Sequence, residues 1–282
     1  KTNSYNEVPL GDIAISPLSV RSVFWRSRYL GKSDFTHHLP LAFWLAEVCR
    51  PKLVVQIAMD DPQCYFAFCQ AVDKLNLSAR CLGFGDWQGE DVDIPTEIAA
   101  HNDQNYADFS KISTLPLVQT QQYLGRRQAD ILIADLASTA LDTETLLALC
   151  ETGVSDQGCV LFYGVNEIYA DAKKRDFLNN LRDAHKSVWF DDHAGVVIVL
   201  TGRDQNERLM KLADLSEDSP EYYNVQTVFS RLGAGHYYEW LSRELTSTAD
   251  AAQASAAKLQ TQFEVETQEF KAEQGRVSAE LS

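Results

Sequence analysis

Two places in this 282-residue chain gather side chains able to do chemistry. Asp60-Asp61 follows the apolar run Leu53-Val54-Val55 and stands directly before Pro62, and Asp135 closes the run Ala129 to Ala134. A carboxylate at the end of a strand can act as a catalytic or cofactor-binding group, and it can equally cap the turn that follows, here at Ser138 or Thr139. A carboxylate pair can hold a metal ion. No histidine motif stands near this one, however, and two acids before a proline read as the acidic start of a helix with Pro in its first turn, so no metal site is expected. The adjacent His37 and His38 would point in different directions on a helix, which makes them a cap or a surface pair rather than ligands. His193 reads as a turn residue. Ser138 and Ser155 lack the strand-turn-helix context of a hydrolase nucleophile.

The segment 53–72 is what must position the first of these groups. A short β-branched run ends in a polar turn, and Tyr65, Phe68, Cys69 and Val72 then fall on one face at helical spacing. This predicts a strand, a loop and a helix. In an open α/β sheet the loop at the carboxyl end of such a strand meets ligands, because the next helix points free N–H groups at it. Any bound cofactor should therefore touch residues 58–64, Ala58 and Asp60 among them. The loop reads Ala58-Met59-Asp60-Asp61-Pro62-Gln63, without the glycines that let backbone approach a nucleotide, and its two carboxylates repel an anionic ligand.

Charge narrows the partners. Lys and Arg total 25 against 40 Asp and Glu, a formal charge of -15, so nucleic acid and anionic membrane surfaces are excluded as expected partners. The six cysteines form no CxxC pair and lie mostly in apolar runs, as buried small hydrophobes of a reducing compartment do. No apolar run reaches the ~18 residues that span a bilayer, and no signal peptide is present, so a cytoplasmic location is expected. The chain opens at Lys1 and closes within a helical pattern, which reads as a piece of a longer polypeptide.

Residues 1–35 read as an irregular arm with room for one short helix, and a helix is expected from 36 to Pro51. Strand patterns at 53–58, 79–84, 111–115, 129–134, 157–163, 187–190 and 196–200 alternate with helix patterns at 62–75, 94–109, 116–126, 141–151 and 170–185. Alternation of this kind predicts a mainly parallel sheet covered on both faces, and the short gap at 191–195 makes the last two strands an antiparallel hairpin. The fold class is therefore α/β, a doubly wound Rossmann-like sheet of seven strands in its methyltransferase-type variant. Beyond 203 the composition turns charged, and 237–282 carries Leu241, Leu245, Thr248, Ala252, Ser255 and Leu259 at 4-3 spacing. A linker and a helical, weakly coiled-coil extension are expected over 204–282. Its stripe needs cover from the domain, from a second copy in a homo-oligomer, or from a following domain or protein partner.

The run His38-Leu39-Pro40-Leu41-Ala42-Phe43-Trp44-Leu45, followed by Tyr65-Phe66-Ala67-Phe68-Cys69-Gln70-Ala71-Val72, resembles class I S-adenosylmethionine-dependent methyltransferase domains attached to bacterial glycosyltransferases and other surface-polysaccharide proteins. Arg80-Cys81, Asp86-Trp87-Gln88-Gly89, His101-Asn102-Asp103, Asn166, Arg175-Asp176-Phe177 and His193-Ala194-Gly195-Val196 continue the likeness in order. It covers roughly residues 35–202. The resemblance implies S-adenosylmethionine as cofactor, bound at Ala58, Asp60, Gly85, Asp86 and Asp135. It also shows where this chain departs from the family. An acidic residue and glycines are replaced by Gln56-Ile57-Ala58, and the ribose-binding aspartate by Gly85, with Asp86 one residue later and so on the opposite face of a strand. A histidine and a glycine beside Asp135 are replaced by Ile133 and Leu136, and a His-Asp pair by Tyr163-Gly164. The expectation is a methyltransferase-like module that has lost methyl transfer and serves a binding or scaffold role in glycan assembly. The alternative is an active methyltransferase acting on a sugar or small hydroxyl acceptor, with Asp86 or Asp135 reaching the ribose.

Overall fold

In the computed structural model, residues 16–85, 94–114, 117–124 and 127–280 are described. Seven strands form one sheet: β1 (Leu53–Ile57), β2 (Arg80–Gly85), β3 (Ser110–Thr114), β4 (Ala129–Asp135), β5 (Val154–Tyr163), β6 (Ser187–Phe190) and β7 (Val196–Val199). Their order is β3-β2-β1-β4-β5-β7-β6, parallel except that β7 runs antiparallel to both β5 and β6. This is the seven-stranded, methyltransferase-type doubly wound sheet expected from the alternation. The order reverses between β1 and β4, which pair with Ile57 beside Ala134, so a crevice opens where their carboxyl ends part.

The central strands are apolar on both faces because helices cover both. Val54, Ile131, Ile133, Leu161 and Ile198 point into one core, and Val55, Leu132, Ala134, Val160 and Val197 into the other. Several helices line the first core. α1 (Leu39–Cys49) is apolar nearly all round and buried, and it stops where Arg50 turns left-handed (φ 46°) before Pro51. α2 (Gln63–Lys74) follows β1, and α7 (Glu207–Ala213) seats Leu209 and Leu212. On the opposite face lie α5 (Thr143–Thr152) and α6 (Ala172–Ala184), begun by Asp142 and Asp171, whose side chains accept from the N–H groups of Thr145 and Lys174. α3 (Thr96–Asn105) precedes β3, and α4 (Leu117–Leu124) follows it.

Several local expectations change. The arm, read as irregular with room for one short helix, carries two short 3-10 turns and contributes Val20, Val23 and Phe35 to the first core. His38, expected in a helix cap or surface pair, takes the N-cap position of α1 with its ring buried at 3% exposure. Residues 204–237, expected as linker and the start of the extension, hold α7 and the opening turns of α8 (Pro220–Glu280), with Val225 and Phe229 in the core. Helical spacing was legible only from Tyr237 because the turns before it mix buried apolar residues with Arg, Gly and Ser.

The chain divides into two compact units, Lys1–Tyr237 and Tyr238–Ser282. The second unit is the remainder of α8, where Leu245, Leu259, Phe263 and Phe270 are exposed. Among the described residues no helix is long and apolar enough to cross a membrane.

Candidate ligand crevice

At the end of β1 the chain turns through Ala58, whose φ of 45° lies in the left-handed region that favours glycine. The Met59 N–H donates to the Phe84 carbonyl at 2.9 Å and carries the β1–β2 pairing one step beyond the strand. The fully buried Met59 side chain lies over β2, where a Cβ on Gly83 would come within 2.9 Å of its methyl carbon. Asp61 accepts from the Gln63 N–H at 2.8 Å, so its own carboxylate caps the start of α2, the place where such a helix would otherwise receive an anionic group. Gln56, buried in mid-strand, donates to the Asp61 carbonyl at 3.0 Å and to the Tyr163 hydroxyl at 3.2 Å. The amide thus ties the loop to β5.

The N-terminal arm runs over this loop and along α2. Gln63 and Gln70 are seven residues apart, hence two turns apart on one helix face. Each pairs its carboxamide with the arm backbone. Gln63 accepts from the Gly31 N–H at 2.9 Å and donates to the Tyr29 carbonyl at 2.7 Å. Gln70 accepts from the Arg28 N–H at 2.7 Å and donates to the Arg26 carbonyl at 2.8 Å. Beyond this ladder the Ser33 hydroxyl donates to Asp61, and the buried Phe35 ring packs edge-on against Tyr163 with centroids 5.4 Å apart.

Carboxylates crowd the crevice. Asp135 accepts from the Ala137 N–H at 2.8 Å, so it caps a tighter turn than the Ser138 or Thr139 turn expected. Burial pushes its pKa up to about 6, with Glu167, Asp61 and Asp60 adding repulsion. Asp61 is also raised, chiefly by burial, with Asp34 and Asp60 pushing the same way against its two hydrogen bonds. Glu167 is raised by burial and by Asp34. Among the described residues no cluster of His, Cys, Asp and Glu has the arrangement of a metal site.

The five expected site residues are thus placed unevenly. Ala58, Asp60 and Asp135 meet at the β1–β4 parting, and Gly85 ends β2 beside Thr114 of β3. Asp86 lies outside the described residues. A cavity of about 850 Å³ between α5 and α6 involves none of them; Val154 and Ser155 in its wall place it at the amino end of β5. The glutamine ladder went unread in the sequence, although two glutamines seven apart on an otherwise apolar helix were its visible signal.

No family model matches the sequence. It is 22% identical over 229 residues to an uncharacterized protein, y4gI, of Sinorhizobium fredii (strain NBRC 101917 / NGR234), a match covering 79% of this chain and 25% of that protein. The chain therefore spans about a quarter of the length of this relative. Among solved structures it is similar to a putative caffeoyl-CoA O-methyltransferase from Staphylococcus aureus, with 12% identity and a TM-score of 0.45, covering 57% of this chain and 81% of that one. It is also similar to the O-methyltransferase TomG from Streptomyces achromogenes, solved in complex with SAM, with 12% identity, a TM-score of 0.44, and coverage of 61% and 82%.

Proposed function

We propose that this chain is a methyltransferase-like module that no longer uses S-adenosylmethionine and serves as a binding or scaffold element. On this reading it belongs to a longer polypeptide engaged in bacterial surface-polysaccharide assembly. The observation that carries the proposal is the occupation of the crevice loop by the chain itself. The α2 terminus is capped by Asp61, Met59 fills the space over β2, and the arm is hydrogen-bonded across the entrance. The groups that would hold the cofactor are also changed. Gly85 offers the ribose no acceptor, and Gln56 spends its donor on the loop. Asp60, Asp61, Asp135 and Glu167 would oppose the carboxylate of the cofactor's methionyl part. The residues present do not fit S-adenosylmethionine.

The polysaccharide context rests on the family resemblance, and membership of a longer chain on the relative's being about three times as long. The exposed stripe Leu245, Leu259, Phe263 and Phe270 supports an association role for the last part of α8, with a following domain, a partner or a second copy. Isothermal titration of the whole chain with S-adenosylmethionine and its demethylated product tests the proposal. No heat of binding up to millimolar ligand is expected. A micromolar affinity lost on Asp135→Ala would replace the proposal with the active-enzyme reading.

A further inference from the structure

Four of the chain's six histidines lie where the arm ends. His37 and His38 close a 3-10 turn, Thr36–His38, which follows the strap of arm over the crevice. The His37 ring is stacked between His193 of the β6–β7 turn, 3.3 Å away centroid to centroid, and Tyr237 of α8, 4.4 Å away. His38 is buried behind it. Its Nδ1 lies 4.0 Å from Asp192, its Nε2 has no hydrogen-bond partner, and Phe35 packs on its ring. His236, one residue before Tyr237, is buried against Phe43 of α1. α8 comes so close that a Cβ on Gly233 would run into the His37 carbonyl group.

We infer that this stack is a proton-operated latch on the arm: with its imidazoles neutral it holds the strap over the crevice, and with them protonated the strap lets go. Stacked imidazoles pack well when uncharged, a charge on the half-buried His37 would be partly desolvated within the stack, and a charge on His38 would be buried with no hydrogen-bond partner at Nε2. Asp192 is the carboxylate facing the group, 4.0 Å from both His38 and His193, and it offsets only part of that cost. The direction of titration agrees. Burial, reinforced by His193, holds His37 down to about 4, and burial with His193 and His37 holds His38 at about 4 against the pull of Asp192.

The glutamine ladder does not titrate, so proton dependence enters at the two ends of the strap, with opposite signs. Acidification relieves repulsion between Asp34 of the arm and Glu167 and within the Asp60–Asp61 pair, which favours docking. The histidines act the other way, and their displacement is the larger. For depressed imidazoles, docking is strongest above the free value near 6.5 and is lost as pH falls toward 4. His38 alone, moving from 6.5 when free to about 4 when docked, weakens docking about 30-fold at pH 5. His37 adds in the same direction, less for its partial exposure. The latch stands whether or not the uncovered crevice holds any ligand.

Amide hydrogen exchange of the full chain tests it, following the Arg28 and Gly31 N–H groups of the ladder against the Leu132 and Ile133 N–H groups of β4, corrected for intrinsic rate, between pH 7.5 and pH 5. Protection of the arm amides should fall at least tenfold at pH 5 while β4 stays protected, and His38→Phe should remove most of that pH dependence. Should that variant not fold, the ring proton shifts of His37 and His38 in the native chain, titrating well below pH 6, report the same coupling. Arm protection equal at both pH values, or arm and β4 amides lost together, would overturn the latch.

Discussion

Gly233 and Gly235 sit two residues apart in α8, and replacing each with alanine should change stability in opposite directions. In a helix interior alanine is favoured over glycine by about 1 kcal/mol. At Gly235 nothing lies within 4 Å of the added Cβ, so this gain should appear whole. At Gly233 the Cβ would meet the His37 carbonyl oxygen and lie 2.6 Å from its carbon and 3.0 Å from its Cα. Ordinary contact needs about 3.5 Å, or slightly less for the oxygen, which is the nearest of the three atoms, so α8 and the arm must part by well over 1 Å. Since the obstacle is backbone, no rotamer change relieves it. Overpacking of this kind costs up to about 3 kcal/mol, which leaves a net loss of about 2 kcal/mol. Thermal unfolding followed by tryptophan fluorescence should therefore show Gly235→Ala raised by about 2–4 °C and Gly233→Ala lowered by about 4–8 °C. Equal shifts of the same sign would refute the close approach of α8 to the arm, and with it the packing that seats His37.

Ala58→Gly should raise the urea midpoint with unchanged slope, a gain of at most about 1 kcal/mol, because it releases an alanine from φ 45° at the cost of a more flexible unfolded chain. Lys174→Met should cost about 2–3 kcal/mol in the same assay, since the buried ammonium donates to the Leu136 and Ser138 carbonyls, both at 2.7 Å, and its loss leaves two carbonyls unpaired. Asp135 has its carboxyl raised to about 6, so its proton-linked contribution is full below about 4 and lost as pH rises through 6. Asp135→Asn, which keeps an oxygen for the Ala137 N–H, should accordingly be more stable than the native chain at pH 8 and no more stable at pH 4, measured by unfolding at both.

The sheet was legible because its signal is local and redundant. Each central strand holds an apolar run of strand length, and the 191–195 gap left the last pair no route but a hairpin. The crevice was half legible. The missing glycines, Gln56 and Gly85 could be read from positions alone. The contacts that the arm makes with the loop could not, for the ladder joins Gln63 and Gln70 to residues more than thirty positions away, and through the arm's backbone, which carries no sequence signature. The stack on His37 went unread for the same reason, since its partner comes from the turn after β6. α7 was missed because Glu207–Ala213 is short and set in a charged stretch.

The central claim, that the chain itself fills the crevice, can be tested at Met59. Met59 and Met210 are the only methionines, so a methyl-labelled spectrum holds one reporter in the crevice and one in α7. Titration with S-adenosylmethionine or its demethylated product up to millimolar concentration at pH 7.5 should leave both signals in place. A saturable shift of the Met59 methyl with Met210 unmoved would contradict the account and place a ligand over β2.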